Sequence, residues 1–578
     1  DDMTTVAELL VQALADHGVK TIWGVVGDAL NPVTDAIRRE ERLEWVGVRH
    51  EEVGAFAAAA QAQLTGRLGV CMGTVGPGSI HLLNGLYDAK KSHAPVLAIC
   101  GQVPLAELGS DFFQEVDNDA LFSDVAEFSR TVTSVEQIPA MVEQAVNAAL
   151  TRQGVAVLTL PGDVGGLDLP RHTPVPRFVD EHPETVPAPL ALDRAVELLD
   201  GAGAVTMLVG QGARGAREEV LALAERLGAP MVLTLKAKEG LEHENPYEVG
   251  QSGLIGNPAA QQALDGGDVL LMVGTDFPYR EFYPQGKTVI QLEVRPEHIG
   301  RRIPVDLPLV GHAAPTLRAL TQRVAAKPDR SHLDAARKTF TEWQERQARL
   351  ADPAYDRSPK GLLRRKLDNP EERIRPEVLA AAIDRHAADD AIFTSDTGMA
   401  TVWLSRFVRM SGSRRLLGSF NLGSMANAMP QALGAAALDR DRQVVAFCGD
   451  GGLSMLMGDL ITAVSHRLPV KLVVFDNGRL GMVKLEQEQG GLPEFGTVLD
   501  NPDFAAVARA VGLTGVRVTE ADQVDEAVRV ALATPGPVLL DVLTNPEEIA
   551  VPPKPKLSQG WGFAVAKLKE TLVSAGDE

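Results

Sequence analysis

Two short polar segments carry the residue types that hold a phosphorylated ligand through a metal ion. Cys448-Gly449-Asp450-Gly451-Gly452 follows the apolar run 443–447, and Asp476-Asn477-Gly478 follows the apolar run 470–475. Asp450 and Asn477 stand 27 positions apart. A diphosphate is held best by a hard cation with oxygen ligands, which carboxylate and amide side chains supply. Glycines let backbone N–H groups approach the phosphate oxygens. A helix expected to start near Ser454 adds further N–H donors and a favourable dipole. The GDGG tetrapeptide alone reads equally well as a tight turn. A second strand-and-loop at this separation is what makes the pair a candidate site.

The elements around these loops must place them at one sheet edge. β-rich runs at 21–26, 69–74, 96–99 and 156–159 alternate with amphipathic segments such as 6–17. The same alternation returns at 391–394, 443–447, 470–475 and 538–542. This pattern predicts parallel sheets with helical crossovers, whose sites form at the carboxyl ends of strands. The stretch 169–189 carries six prolines and little periodicity, and reads as a linker. A second α/β block follows from about 190. The charged stretch 325–373 reads as interdomain helix with Trp343 as a packing anchor. The expected fold is α/β, with three doubly wound parallel-sheet domains at 1–180, 190–335 and 345–547 and a helical tail at 548–578.

The chain has 578 residues, 45% of them hydrophobic, and a formal net charge of −21. That balance argues against general affinity for nucleic acid or an anionic membrane surface. Cys71, Cys100 and Cys448 have neither metal-ligand spacing nor a disulfide pattern, and read as buried thiols of a reducing cytoplasm. No apolar run approaches the roughly 20 residues that span a bilayer. Asp1-Asp2 before Met3 reads as a non-native leader.

GDG followed by an asparagine loop at this distance resembles the motif of thiamine diphosphate-dependent enzymes. The resemblance implies that Asp450, Asn477 and the backbone carbonyl of Arg479 bind Mg2+. It also implies that Gly451, Gly452, Gly478, Leu480, Gly481, Met482 and Val483 surround the cofactor. In this family a glutamate hydrogen-bonds the aminopyrimidine ring. It matches Glu51 in Arg49-His50-Glu51-Glu52. Taken alone, Glu51 is an ordinary first-turn helix glutamate. Gly76-Pro77-Gly78 resembles the turn that faces cofactor and substrate, with His81 and His93 as candidate donors to a substrate carboxylate. The glutamate domain of one subunit meets the GDG domain of another in this family, so at least a dimer is expected, in the form of a tetramer built as a dimer of dimers.

Across nearly the whole chain the sequence is most similar to bacterial pyruvate oxidases of the quinone-reducing type. The stretch from Leu417 to Gly434 is the longest carrier of that likeness. By it, Gly423, Ser424 and Met425 contact the cofactor, Met425 props its two rings, and Phe113, Gln114 and Thr397 form the substrate pocket. The resemblance makes the three domains pyrimidine-binding, FAD-binding and diphosphate-binding. FAD would lie on Ser252, Gly253, Leu254 and Ile255, on Thr275, Asp276, Phe277, Pro278 and Tyr279, and on Glu293. Gly210-Gln-Gly-Ala-Arg-Gly215 is a GxGxxG after the run 205–209, but Lys236 ends the next strand where an acidic ribose partner would favour NAD. A flavin-side turn is preferred, with a purely structural turn as the alternative.

Some positions depart from the family pattern. Glu293 and His312 stand where aspartates are expected, Met482 replaces a phenylalanine that moves on activation, and the family's C-terminal membrane-binding peptide has no counterpart before Glu578. The expected activity is oxidative decarboxylation of pyruvate to acetate, with electrons passed through FAD to a quinone, in the cytoplasm or against the inner face of the cell membrane. An acetolactate synthase-like carboligase, an oxygen-dependent oxidase and a non-catalytic binding protein of the same fold are the alternatives.

Overall fold

Short runs of buried β-branched and aliphatic residues form three sheets in which every strand pairing is parallel. The computed structural model describes residues 4–548. The expected helical tail lies, from position 549 onward, outside the described residues.

The first sheet contains β1 (Thr21–Gly24), β2 (Glu44–Gly47), β3 (Gly69–Gly73), β4 (Val96–Gln102), β5 (Ala126–Thr131) and β6 (Val155–Pro161), in the order β2-β1-β3-β4-β6-β5. The middle sheet contains β7 (Val205–Val209), β8 (Met231–Leu233), β9 (Val269–Val273), β10 (Thr288–Glu293) and β11 (Leu307–Val310), in the order β11-β10-β9-β7-β8. The last contains β12 (Ile392–Ser395), β13 (Arg415–Gly418), β14 (Val444–Gly449), β15 (Val470–Asp476), β16 (Thr514–Val518) and β17 (Val538–Leu543), in the order β13-β12-β14-β15-β17-β16. The first and last sheets therefore share one topology. In each sheet the chain reverses direction of travel between its first and third strands, and that switch point opens the crevice where ligands sit in such folds.

Local sequence explains the helices that frame these crevices. Thr5 and Glu8 make a reciprocal capping box for Val6–His17, and Gly18 closes the helix in the left-handed conformation. The helix Glu51–Thr65 is so rich in alanine that it packs closely against Ala428–Leu438 of the last domain. A first side-chain carbon at Gly434 would fall 2.5 Å from the Ala57 carbonyl oxygen. One core cluster consequently runs from Trp23 through the alanines of this helix to Val444 and Leu472.

Two expectations are refined. The charged interdomain stretch forms two helices, Ser331–Ala351 and Pro359–Asp368, because Pro353 and Pro359 interrupt it. The helix after GDGG begins at Asp450 itself, not near Ser454, so both glycines lie inside its first turn. No helix among the described residues is long and apolar enough to cross a membrane.

Candidate active site

The switch point of the last sheet lies between β12 and β14, and the residues that follow them meet there. Asp396 follows β12, and its carboxylate accepts the Ala428 N–H at 2.9 Å and the Gly449 N–H at 2.9 Å. It thereby ties the GDGG loop to the neighbouring strand. A first side-chain carbon at Gly452 would lie 2.5 Å from Asp396 Oδ2, so glycine is required there by close approach.

Asp450 ties the two polar loops together. Its Oδ1 accepts the Gly451 N–H, and its Oδ2 accepts the Gly478 N–H and the Asn501 amide, each at 2.7 Å. Asn501 also donates to Asp476 Oδ1 at 2.9 Å. Burial, and then the charge of Asp476, push the Asp450 carboxyl up to about 7. The same causes push Asp541 up to about 8. Three carboxyl groups held this close are the surroundings in which a hard dication is favoured, because it relieves both the repulsion and the lost solvation. The donor set of Asp450, Asn477 and the Arg479 backbone fits that ion.

A pocket opens beside these ligands. Thr397, Met425, Asp450, Gly451, Gly452, Asn477, Arg479, Leu480, Gly481, Met482 and Val483 are among the residues that line it. Gly423 has a left-handed backbone, and Ser424 Oγ accepts the Asn84 amide at 3.0 Å, so both sit where the last domain meets the first. Gly478, also left-handed, turns the second loop. Every residue lining this pocket comes from position 376 or later.

A second group of candidate residues forms a wall of the first domain. Glu51 is 8% exposed and opens its helix, and His81 Nδ1 lies 2.8 Å from Glu51 Oε2. The rings of His50 and His81 stack at 4.4 Å, and the ligand atoms of His50, Glu51 and His81 lie within 4.8 Å of one another. Gly78 follows the turn, where a first side-chain carbon would be 3.4 Å from Glu51 Oε1. Gly76 has φ +69°, and such a carbon there would meet the Gln114 carbonyl oxygen at 2.7 Å. Phe113, next to Gln114, is 78% exposed. His93 does not join this group. Its Nδ1 is 2.6 Å from Arg295 Nη1, and burial followed by the Arg295 charge lowers it to about 4.

Asp459 braces this wall from the last domain of the same chain. Its carboxylate accepts the Arg49 N–H at 2.7 Å and the His50 N–H at 3.1 Å, immediately before the Glu51 helix.

In the middle domain the switch point lies between β7 and β9. Gly210 and Gly212 are explained by it: the Gly212 N–H donates to the Gly274 carbonyl at 2.9 Å, and a side-chain carbon at Gly210 would lie 2.4 Å from that oxygen. The first two glycines of the GxGxxG thus serve a backbone crossing, whereas Gly215 has open space around it. Around the crevice, Ser252 Oγ is buried with no hydrogen-bond partner among the described residues. Gly253 is left-handed and packs on Phe277 and Tyr279, with Leu254 and Ile255 following in the same loop. Thr275 Oγ1 accepts the Phe277 N–H, and Pro278 carries the chain on to the half-exposed Tyr279.

Three of the positions expected around FAD have protein partners. Asp276 is clamped by Arg301 and Arg302. Glu293 Oε1 accepts the Val294 and Arg295 N–H groups. His312 pins the proline-rich linker, accepting the Thr185 N–H at Nδ1 while its own N–H donates to the Thr185 carbonyl, both at 2.8 Å.

Sequence reasoning assigned no role to Asp396, Asp459, Asp476, Asn501 or Asp541, although Asp476 opens the second polar loop. The position of Asp396 and of Asp476 at the end of a strand was the available signal.

Comparison with known proteins accounts for all three sheets. The chain matches the thiamine pyrophosphate enzyme N-terminal TPP binding domain over residues 4–121, the central domain over 192–320 and the C-terminal TPP binding domain over 396–542. It is 37% identical to the putative thiamine pyrophosphate-containing protein YdaP of Bacillus subtilis, covering 98% of this chain and 96% of that protein. It is 32% identical to the pyruvate oxidase of Lactiplantibacillus plantarum, covering 92% and 87%. It is also 32% identical to the acetolactate synthase isozyme 2 large subunit of Escherichia coli, covering 93% and 95%. The chain belongs to the thiamine pyrophosphate enzyme family.

Proposed function

We propose that the protein converts pyruvate, water and a quinone into acetate, CO2 and the quinol, using thiamine diphosphate, Mg2+ and FAD. The observation that carries this reading is the pairing of an acidic, cation-fitting pocket at Asp450 with a buried, histidine-oriented carboxylate at Glu51. When bound, thiamine diphosphate supplies the sink for the electron pair left as CO2 departs.

The residues of this chain do the rest. Asp450, Asn477 and the Arg479 carbonyl hold the cation, and the first turn of the helix at Asp450 offers N–H groups to the diphosphate. Glu51 holds a proton against a cofactor ring nitrogen, with His81 fixing one of its oxygens. Met425, Leu480 and Met482 give the pocket apolar walls that exclude water. On this reading Glu51 of one subunit lies over Asp450 of another, in an assembly of at least two chains and of the tetrameric type.

FAD is assigned to the middle crevice, where the switch point and the unpartnered Ser252 hydroxyl support a ligand. The similarity to a pyruvate oxidase supports this reading, and the equal similarity to an acetolactate synthase favours carboligation as the second one. Anaerobic mixing with pyruvate distinguishes them. Bleaching of the bound flavin, reversed by a quinone analogue, is expected. Acetolactate formation without bleaching would overturn the oxidative reading. On this reading the protein works in the cytoplasm or against the inner face of the cell membrane.

A further inference from the structure

A second cavity, of about 570 Å³, lies where the middle domain, the interdomain helix and the last domain meet. It shares no lining residue with the pocket at Asp450, nor with the crevice positions from Ser252 to Ile255, from Thr275 to Tyr279, or at Glu293. Its volume falls within the range of small-molecule sites.

One wall is aromatic. Phe340 and Trp343 stack with ring centroids 6.1 Å apart and planes at 16°. The guanidinium carbon of Arg406 stands 5.9 Å from the centre of the Trp343 ring. Three polar atoms on the lining are buried without a hydrogen-bond partner among the described residues: Arg406 Nε, Gln251 Nε2 and Gln347 Oε1. Orphans of this kind are rare in folded proteins, because each forfeits its interaction with water. Gln251 is held in place, its Oε1 accepting from Ser405 Oγ at 3.4 Å, which leaves the NH2 group directed elsewhere.

The charges of the lining single out Arg406. Lys238 pairs with Glu242, Arg409 with Glu242 and Glu248, and Arg385 with Asp525. Of the other lining charges, Asp384 pairs with Arg414 and Asp352 accepts the Ala354 N–H, whereas Arg406 has no ion pair among the described residues. Burial lowers it to about 10, opposed only by the charge of Glu377. Glu377 is itself raised well above the usual carboxylate value by burial and by Glu548.

We propose that this cavity binds a planar aromatic or heteroaromatic monoanion, its ring on Trp343 and its anionic group on Arg406 and Gln251. A delocalised ring matches the indole face, and a single carboxylate or phosphate matches Arg406, which has no ion pair among the described residues. The helix Met399–Phe407 lines the Asp450 pocket with its first turns, through Met399, Ala400 and Trp403, and this cavity with its last, through Ser405 and Arg406. A ligand here would therefore stiffen an element that both sites share.

The test is calorimetric titration of the full chain, loaded with its cofactors, with 1-naphthoate and with the neutral 1-naphthalenemethanol. One naphthoate per chain is expected, bound at least about tenfold more tightly than the alcohol, the factor that one charge-assisted hydrogen bond supplies. Arg406→Gln should abolish that preference, and Trp343→Leu, on a half-exposed helix face, should weaken both compounds. Equal binding of acid and alcohol would overturn the proposal. So would an unchanged preference in folded Arg406→Gln, or displacement of naphthoate by pyruvate or thiamine diphosphate.

Discussion

Glu51 Oε2 and His81 Nδ1 are 2.8 Å apart, so the carboxylate that opens the alanine-rich helix is oriented by the helix that follows the Gly76-Pro77-Gly78 turn. Two segments separated by β3 are thereby held together at one carboxylate. Glu51→Gln keeps the shape and removes the base. It should lower kcat by about 10²- to 10⁴-fold while leaving thiamine diphosphate bound. CO2 release and cofactor content of the purified variant check this, and unchanged turnover would contradict it.

Asn501 holds Asp450 and Asp476 together without being a ligand in the proposed cation set. Asn501→Ala should raise the Mg2+ concentration for half-maximal activity by about 10- to 100-fold, the usual range for a group that orients a ligand. At saturating Mg2+, kcat should recover. A Mg2+ titration of activity decides.

Gly452→Ala forces a methyl group against Asp396, whose Oδ2 would lie 2.5 Å away. Asp396 is anchored by two backbone N–H groups and cannot retreat. The variant should lose about 1–3 kcal/mol of stability. Thermal unfolding with and without thiamine diphosphate measures the loss.

Asp88 supplies a pH test away from the cation site. It is fully buried, Oδ1 accepts the Ser419 hydroxyl at 2.7 Å, and burial raises its carboxyl from 3.8 to about 6, against the opposing effects of Ser419 and Lys236. The fold thus favours the neutral acid. That contribution is full below pH 3.8 and is lost as pH rises through about 6. Asp88→Asn stays neutral, so relative to the parent it should gain on the order of 2–3 kcal/mol between pH 4 and pH 8. Chemical denaturation at the two pH values gives the difference.

The parts of the site that were legible in the sequence are those where chemistry restricts residue type. A hard cation on a diphosphate calls for Asp450 and Asn477 after strands, and no structural role demands both at that spacing. Asp396, Asn501 and Asp541 were not legible, because each is a common polar residue whose meaning comes from a partner more than 30 positions away or across the sheet. The start of the helix at Asp450 was misplaced because two glycines suppress helix propensity, and tertiary contacts override it. The GxGxxG pattern suggested a flavin-side turn, with a purely structural turn as the alternative, and the structure adds that Gly210 and Gly212 make room for the approach of Gly274. The matching topology of the first and last sheets was visible only as two similar alternations of strand and helix.

The most direct test of the shared site is complementation between two inactive variants. Glu51→Gln and Asp450→Ala are each expected to release almost no CO2 from pyruvate. Co-expressed in equal amounts, they assemble at random, and half of the dimers contain one chain of each kind. Every such hybrid has one site with both native walls, so about one quarter of the parental activity should return. Activity no greater than that of the separate variants would contradict the account, because it would mean that Glu51 and Asp450 serve a site within a single chain.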